Sequence, residues 1–165
     1  MTDFLLDPGT SGFIATPFNL MTTELNTLAS GSAATSSVGG TSGVFSQTNF
    51  GSAIELEFWF LSGGAFTPTA GGTLACWWLK STDGGTTFEA LISTPSTSVP
   101  ALGRPPDLLL PLYEGGAAWA SNNIRNGIIA RAPYPFAKLV TQNFSGVSLP
   151  ASGNIIKAAP VAWKF

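Results

Sequence analysis

Apolar and polar positions alternate most cleanly in the middle of this chain. In Ile54-Glu55-Leu56-Glu57-Phe58-Trp59-Phe60, the residues Ile54, Leu56, Phe58 and Phe60 share one face of an extended segment and Glu55 and Glu57 the other. That two-residue period predicts a half-buried strand. Gly63-Gly64 and the stretch from Pro68 to Gly72 interrupt the pattern, and Thr73 to Lys80 (TLACWWLK) resumes it as a second strand. Asp83-Gly84-Gly85 supplies residues that tolerate positive φ, and predicts a hairpin returning through Thr86-Thr87-Phe88-Glu89-Ala90-Leu91. Pro95, Pro100, Pro105 and Pro106 hold residues 93 to 106 out of any ladder, as a long surface loop. Further strands are expected at Asp107 to Tyr113, Arg125 to Arg131, Phe136 to Gln142 and Asn154 to Phe165, the last interrupted at Pro160.

Residues 1 to 52 read differently. They are rich in Gly, Ser and Thr, with apolar residues in short clusters such as Phe4-Leu5-Leu6 and Phe13-Ile14, which predicts an arm and linker, partly extended. Ser30 to Ser42 (SGSAATSSVGGTS) has little to bury and reads as a flexible loop. Phe18 to Leu28 suits a strand or a short helix, with strand preferred. Many short strands, Gly and Pro turns and no long helical period predict an all-β chain. The expected architecture is a single jelly-roll-like β-sandwich over residues 53 to 165, preceded by an extended, largely irregular N-terminal arm.

Composition narrows the function classes. With 165 residues the chain is long enough for one core, and its single cysteine, Cys76, rules out an intrachain disulfide. Charged residues make up only 10%, against about a quarter in an ordinary domain, leaving a surface suited to burial against neighbours. A net charge of -2 offers no cationic field for a phosphate backbone, so no nucleic-acid partner is expected. Apolar runs fall short of the roughly 20 residues that span a bilayer, so no membrane partner is expected either. The start Met1-Thr2-Asp3-Phe4 lacks the basic opening and apolar core of a secretory signal, which points to assembly in the cytoplasm that makes it.

The chain has no histidine, which removes Ser/His/Asp and Cys/His catalysis and the commonest zinc ligand together. Glu55 and Glu57 project from one strand face, whereas glycoside cleavage needs carboxylates on opposite sides of a substrate, so they read as a solvated face. Ser81-Thr82-Asp83-Gly84-Gly85-Thr86-Thr87-Phe88 fits the Asp-box pattern of sialidase propellers. Occurring once, it specifies a turn in which Ser and Asp side chains bond local backbone. Cys76, inside an apolar strand with no adjacent base, reads as a small buried hydrophobe. Asn143-Phe144-Ser145 meets the glycosylation pattern without a secretory route to use it. Trp77 and Trp78 point to opposite faces of their strand, so one of them meets either a partner or the protein's own covering loops. No enzymatic activity and no cofactor or metal are expected.

From about Ala53 to the end the chain resembles small virion proteins of tailed bacteriophages. The resemblance is carried, in order, by Ile54 to Phe60, by Gly71-Gly72-Thr73-Leu74 and by the turn from Ser81 to Phe88. After a proline-rich stretch and a basic strand opening come Pro133-Tyr134-Pro135-Phe136-Ala137-Lys138-Leu139-Val140, then Asn143, then Leu149-Pro150-Ala151-Ser152-Gly153-Asn154 leading into the final strand. It implies a capsid decoration, or cement, protein that sits on the outer head lattice of the virion. Its expected partners are the major capsid protein and neighbouring copies of itself, as a dimer or trimer. In that setting Phe4, Leu5, Leu6, Phe13 and Ile14 would order into grooves on neighbouring subunits, with Trp77 as a further interface residue. Val161-Ala162-Trp163-Lys164-Phe165 either closes the sandwich or pairs with a sister subunit, core packing being preferred. The competing expectation is a tail, baseplate or fibre component that binds a host surface glycan or another tail protein, with exposed tryptophans as stacking platforms. A virion-bound glycan hydrolase using Glu55 or Glu57 is the enzymatic counterpart.

Overall fold

The computed structural model describes residues 18–37, 45–46, 55–92, 95–96, 98–112, 119, 128–131 and 136–161. Among them, nine strands run in chain order: β1 (Phe18–Met21), β2 (Ala33–Thr35), β3 (Phe45–Ser46), β4 (Glu55–Leu61), β5 (Thr73–Ser81), β6 (Leu108–Pro111), β7 (Ile128–Arg131), β8 (Phe136–Phe144) and β9 (Ile155–Val161). A single 3-10 turn at Thr23–Leu25 is the sole helical element among the described residues. Sheet A has the order β1-β9-β4-β7; in sheet B, β2-β8-β5-β6, β3 also pairs with β8. All strand pairs are antiparallel. The chain is therefore the all-β sandwich that the alternation predicts.

The inner faces carry the expected period. Leu56, Phe58 and Phe60 of β4 are buried and alternate with half-buried Glu55, Glu57 and Trp59. Across the core, β5 contributes Leu74, Cys76 and Trp78, and β9 contributes Ile156 and Ala158. The Trp78 ring lies 6.0 Å from Phe58 and 6.1 Å, edge-on, from Phe45. One end closes on Trp119, whose ring stands 5.5 Å from Phe60 and whose indole N–H donates to the Leu112 carbonyl at 2.6 Å. Each such large apolar side chain contributes about 1.5–3 kcal/mol by leaving water.

Several boundaries differ from the sequence expectation. Part of residues 1 to 52 is laced into the sandwich: β1 edges sheet A, β2 and β3 extend sheet B, and Leu20, Met21, Leu25, Leu28 and Phe45 are buried in the core. The segment 18 to 28 is both of the offered alternatives, a strand followed by the 3-10 turn. In that turn the Glu24 carboxylate accepts from the Thr22 backbone at 2.8 Å and from the Ser37 hydroxyl at 2.5 Å, with the Ser37 amide donating as well. It thereby anchors the end of β2, within a stretch that composition alone marks as loop. Apart from β2 and its immediate neighbours, the rest of Ser30 to Ser42 lies outside the described residues, as do Val161's successors Ala162 to Phe165.

Pro160 does not interrupt β9. It stands opposite Leu56 of β4, while β1 reaches along the other edge of β9 only as far as Ala158. The missing amide hydrogen therefore falls beyond the end of β1. At Gly63, just past β4, a side chain is impossible: an added Cβ would lie 1.9 Å from the Ser152 carbonyl oxygen. This close approach seats the turn after β4 against the turn before β9.

Candidate interaction surface

β5 is buried on both faces, which a two-layer sandwich alone does not do. Its inner residues enter the main core, and its outer residues Ala75, Trp77 and Leu79 form a second cluster with Val140, Ala101 and Leu102. The cover is the segment between β5 and β6, lying on sheet B as a third layer. Trp77 is 1% exposed and its indole N–H donates to the Arg104 carbonyl at 3.0 Å. This corrects the expectation that Trp77 meets a partner: the protein's own loop occupies its face. Phe4, Leu5, Leu6, Phe13 and Ile14 lie outside the described residues.

The predicted return strand of the hairpin is also absent. Gly84 and Gly85 do adopt positive φ, 76° and 92°. The Ser81 hydroxyl accepts from the Gly85 amide at 2.9 Å and donates to Asp83 at 2.8 Å, and Asp83 accepts from the Thr86 and Thr87 amides at 3.1 and 2.8 Å. Those hydrogen bonds, those involving Thr87 foremost, hold the Asp83 carboxyl well below the usual carboxylate range. The turn is as the motif specifies, but Thr86 to Leu91 keeps only one backbone bond to β5, from the Glu89 amide to the Lys80 carbonyl at 3.3 Å, and places Phe88 against the second cluster, under the Lys138 ammonium at 4.8 Å.

β6 takes the edge of β5 instead, and only from Thr73 to Cys76. Along the rest of that edge, side chains join single backbone bonds from Asp107 to Cys76 and from Glu89 to Lys80 in place of a strand. The Trp78 amide donates to Asp107 at 2.8 Å, the Trp78 carbonyl accepts from Arg104 at 2.8 Å, and the Lys80 amide donates to Glu89 at 3.2 Å. Arg104 in turn bridges Asp107 at 2.9 Å and Glu89 at 3.3 Å. Partial burial works against the Arg104 charge, yet the two carboxylates, Asp107 above all, hold its proton more firmly than usual.

Gln142, fully buried on the outer face of β8, fixes the far half of the layer. Its side-chain carbonyl accepts from the Ala101 amide at 2.7 Å. Its amide donates to the carbonyls of Gly31 at 2.9 Å, Ser96 at 2.8 Å and Val99 at 3.0 Å. Ser96 and Val99 exchange backbone hydrogen bonds, and Ile92 donates to Ala101 at 2.9 Å. On this pinned scaffold Leu91, Ile92 and Val99 are each 37% exposed, three of the five exposed large hydrophobics among the described residues. An open depression of about 400 Å³ on the same segment is lined by Pro100, Leu102, Gly103, Arg104, Pro105 and Pro106. A buried amide with four partners is costly to disrupt, so it fixes the backbone at Ser96, Val99 and Ala101.

Other candidate chemistry resolves into structure. Cys76 is buried with its sulfur 3.3 Å from the Thr141 hydroxyl, and burial pushes its pKa up to about 12. Asn143 is fully buried, donating to Leu28 and Val147 carbonyls, so the glycosylation pattern is sealed inside the fold. Glu55 and Glu57 lie on the outer face of sheet A, on one strand and facing the same way. Among the described residues no cluster of three or more His, Cys, Asp or Glu could hold a metal ion, and no helix is long and apolar enough to cross a membrane.

Sequence reading missed the residues that build this surface. Leu91 and Ile92 look like the end of a strand, and nothing in the sequence distinguishes Gln142 from any polar residue in one. No protein-family model, curated protein or solved structure matches the chain.

Proposed function

We propose that this chain is a virion structural protein of a tailed bacteriophage, a decoration protein that cements the outer head lattice by burying an apolar surface. One observation carries the reading: Leu91, Ile92 and Val99 are exposed on the segment between β5 and β6, where Gln142 bonds the backbone of Ser96, Val99 and Ala101. A docking protein keeps such a surface pre-organised so that little entropy is lost on contact. The charged side chains of this layer, Glu89, Arg104 and Asp107, are spent on one another and on the β5 edge. The surface left over suits an uncharged protein face, here the major capsid protein and neighbouring copies. Each contact is weak, and repetition over a symmetric lattice multiplies it. The resemblance of residues 53 to 165 to phage virion proteins points the same way.

The tail or fibre alternative rests on exposed tryptophans. Trp77 no longer serves it, which among the described residues leaves Trp59, half-buried on the outer face of sheet A.

Labelled-antibody electron microscopy of purified particles tests the assignment. Label over the head supports it; label on the tail, or none on assembled particles, overturns it. In parallel, the triple variant Leu91→Ser, Ile92→Ser, Val99→Ser should fold normally and lose the ability to bind undecorated heads. Full binding by that variant would move the docking surface elsewhere.

A further inference from the structure

Among Asp3, Asp7, Asp83 and Asp107, only Asp83 precedes a glycine. That pairing is chemically labile, because glycine has no Cβ to crowd the approach to its own nitrogen. The Gly84 nitrogen attacks the Asp83 side-chain carbonyl carbon, forming a C–N bond while the carboxyl hydroxyl leaves as water with the amide proton. Water then adds to the cyclic succinimide. Opening at one carbonyl restores aspartate; opening at the other leaves isoaspartate, with the main chain running through the side-chain carbon. One water leaves and one enters, and nothing is oxidised or reduced.

Neither burial nor crowding prevents this reaction here. Asp83 and Gly84 are both exposed, and a Cβ added at Gly84 would meet nothing within 4 Å. What restrains the pair is hydrogen bonding. Asp83 Oδ1 accepts from the Ser81 hydroxyl at 2.8 Å and from the Thr86 and Thr87 amides at 3.1 and 2.8 Å, which aims the carboxyl past Gly84. The same bonds favour its ionised form, and a carboxylate has no hydroxyl to leave as water.

We propose that Asp83-Gly84 is a covalent modification site, held unreacted by the folded turn and converted to isoaspartate when the turn opens. The product cannot rebuild the turn: an extra carbon enters the main chain, and the bonds to Ser81, Thr86 and Thr87 are lost together. Phe88 and Glu89 follow directly in the chain. Phe88 packs against the second cluster, and Glu89 bonds Lys80 through both its amide and its carboxylate. Isomerisation therefore loosens the layer over sheet B from its β5 end. The inference concerns the isolated chain and stands apart from the proposed place on the head.

Heavy-oxygen water tests it, since each ring opening leaves one solvent oxygen on the residue. The full chain is held in that water at mildly acidic pH, either folded or in urea, then digested in ordinary water and mapped by mass spectrometry. Label should accumulate at Asp83 in urea, and roughly tenfold or more slowly in the folded protein, because reaction waits on local opening. Ser81→Ala removes one bond to the carboxylate and one to the Gly85 amide. It should speed labelling of the folded protein and leave the rate in urea unchanged. Absence of label at Asp83 in urea overturns the site, and equal rates in folded and unfolded protein overturn the protection. So does a folded Ser81→Ala variant that labels no faster than the parent. The comparison of folded with unfolded parent needs no variant, so it decides the matter even where Ser81→Ala fails to fold.

Discussion

The side-chain carbonyl of Gln142 accepts a hydrogen bond from the backbone amide of Ala101 at 2.7 Å, joining a central strand of sheet B to the loop that covers it. Through this bond and three donated ones, a buried strand residue sets the shape of an exposed surface.

Gln142→Ala should therefore lower stability by about 2–4 kcal/mol, since it removes the bond to the buried Ala101 amide and those to the carbonyls of Gly31, Ser96 and Val99. Hydrogen exchange should quicken at Ala101 and Val99 far more than at β4 or β9. Gln142→Glu should be at least as damaging, because a carboxylate cannot donate to the carbonyls of Gly31, Ser96 and Val99. Uniform exchange across the molecule in either variant would mean the loop is not held by this residue.

Acid should weaken the protein partly through Glu24. Partial burial alone would raise its pKa, but hydrogen bonds from Ser37 and Thr22 outweigh burial and set it below the ordinary 4.5. A folded-state pKa lower than the unfolded one stabilises above the unfolded value and is lost as pH falls through the folded value. Glu24→Gln should reduce stability at neutral pH and flatten the decline below pH 4.5. Denaturant midpoints measured from pH 7 down to 3 check both; parallel curves for the two proteins would refute the assignment.

Cys76 predicts the opposite end of the scale. Burial raises its folded pKa from 9.0 to about 12, so above pH 9 the unfolded chain releases a proton that the folded one keeps. Stability should fall between those values, and Cys76→Ala should remove that part of the decline. Below pH 9 a thiol reagent should modify the native protein only at the rate of global unfolding. Rapid stoichiometric labelling under native conditions would contradict the burial.

Local pattern determined a good deal of this molecule. The alternation in Glu55 to Leu61 fixes which face of β4 is buried, because a strand turns each successive side chain to the opposite side. The turn at Ser81 to Thr87 is likewise local, closed by bonds among residues a few positions apart. Composition excluded histidine chemistry outright, and the burial of Cys76 followed from its apolar neighbours.

Tertiary structure decided what those local rules leave open. Trp77 and Trp78 are equivalent in sequence, and only the loop folded over sheet B turns an expected contact residue into a second core. The return after the Asp-box keeps contact with the β5 edge only through Glu89, because Arg104 and Asp107, distant in sequence, satisfy that edge at Trp78. Ser30 to Ser37 reads as linker by composition, yet β8 offers an edge to pair with, and Ala33–Thr35 takes it. Gln142 gains its role the same way: hydrogen bonds across 41 or more residues have no local signature, since sequence fixes the donor and acceptor inventory while only the fold chooses the partners.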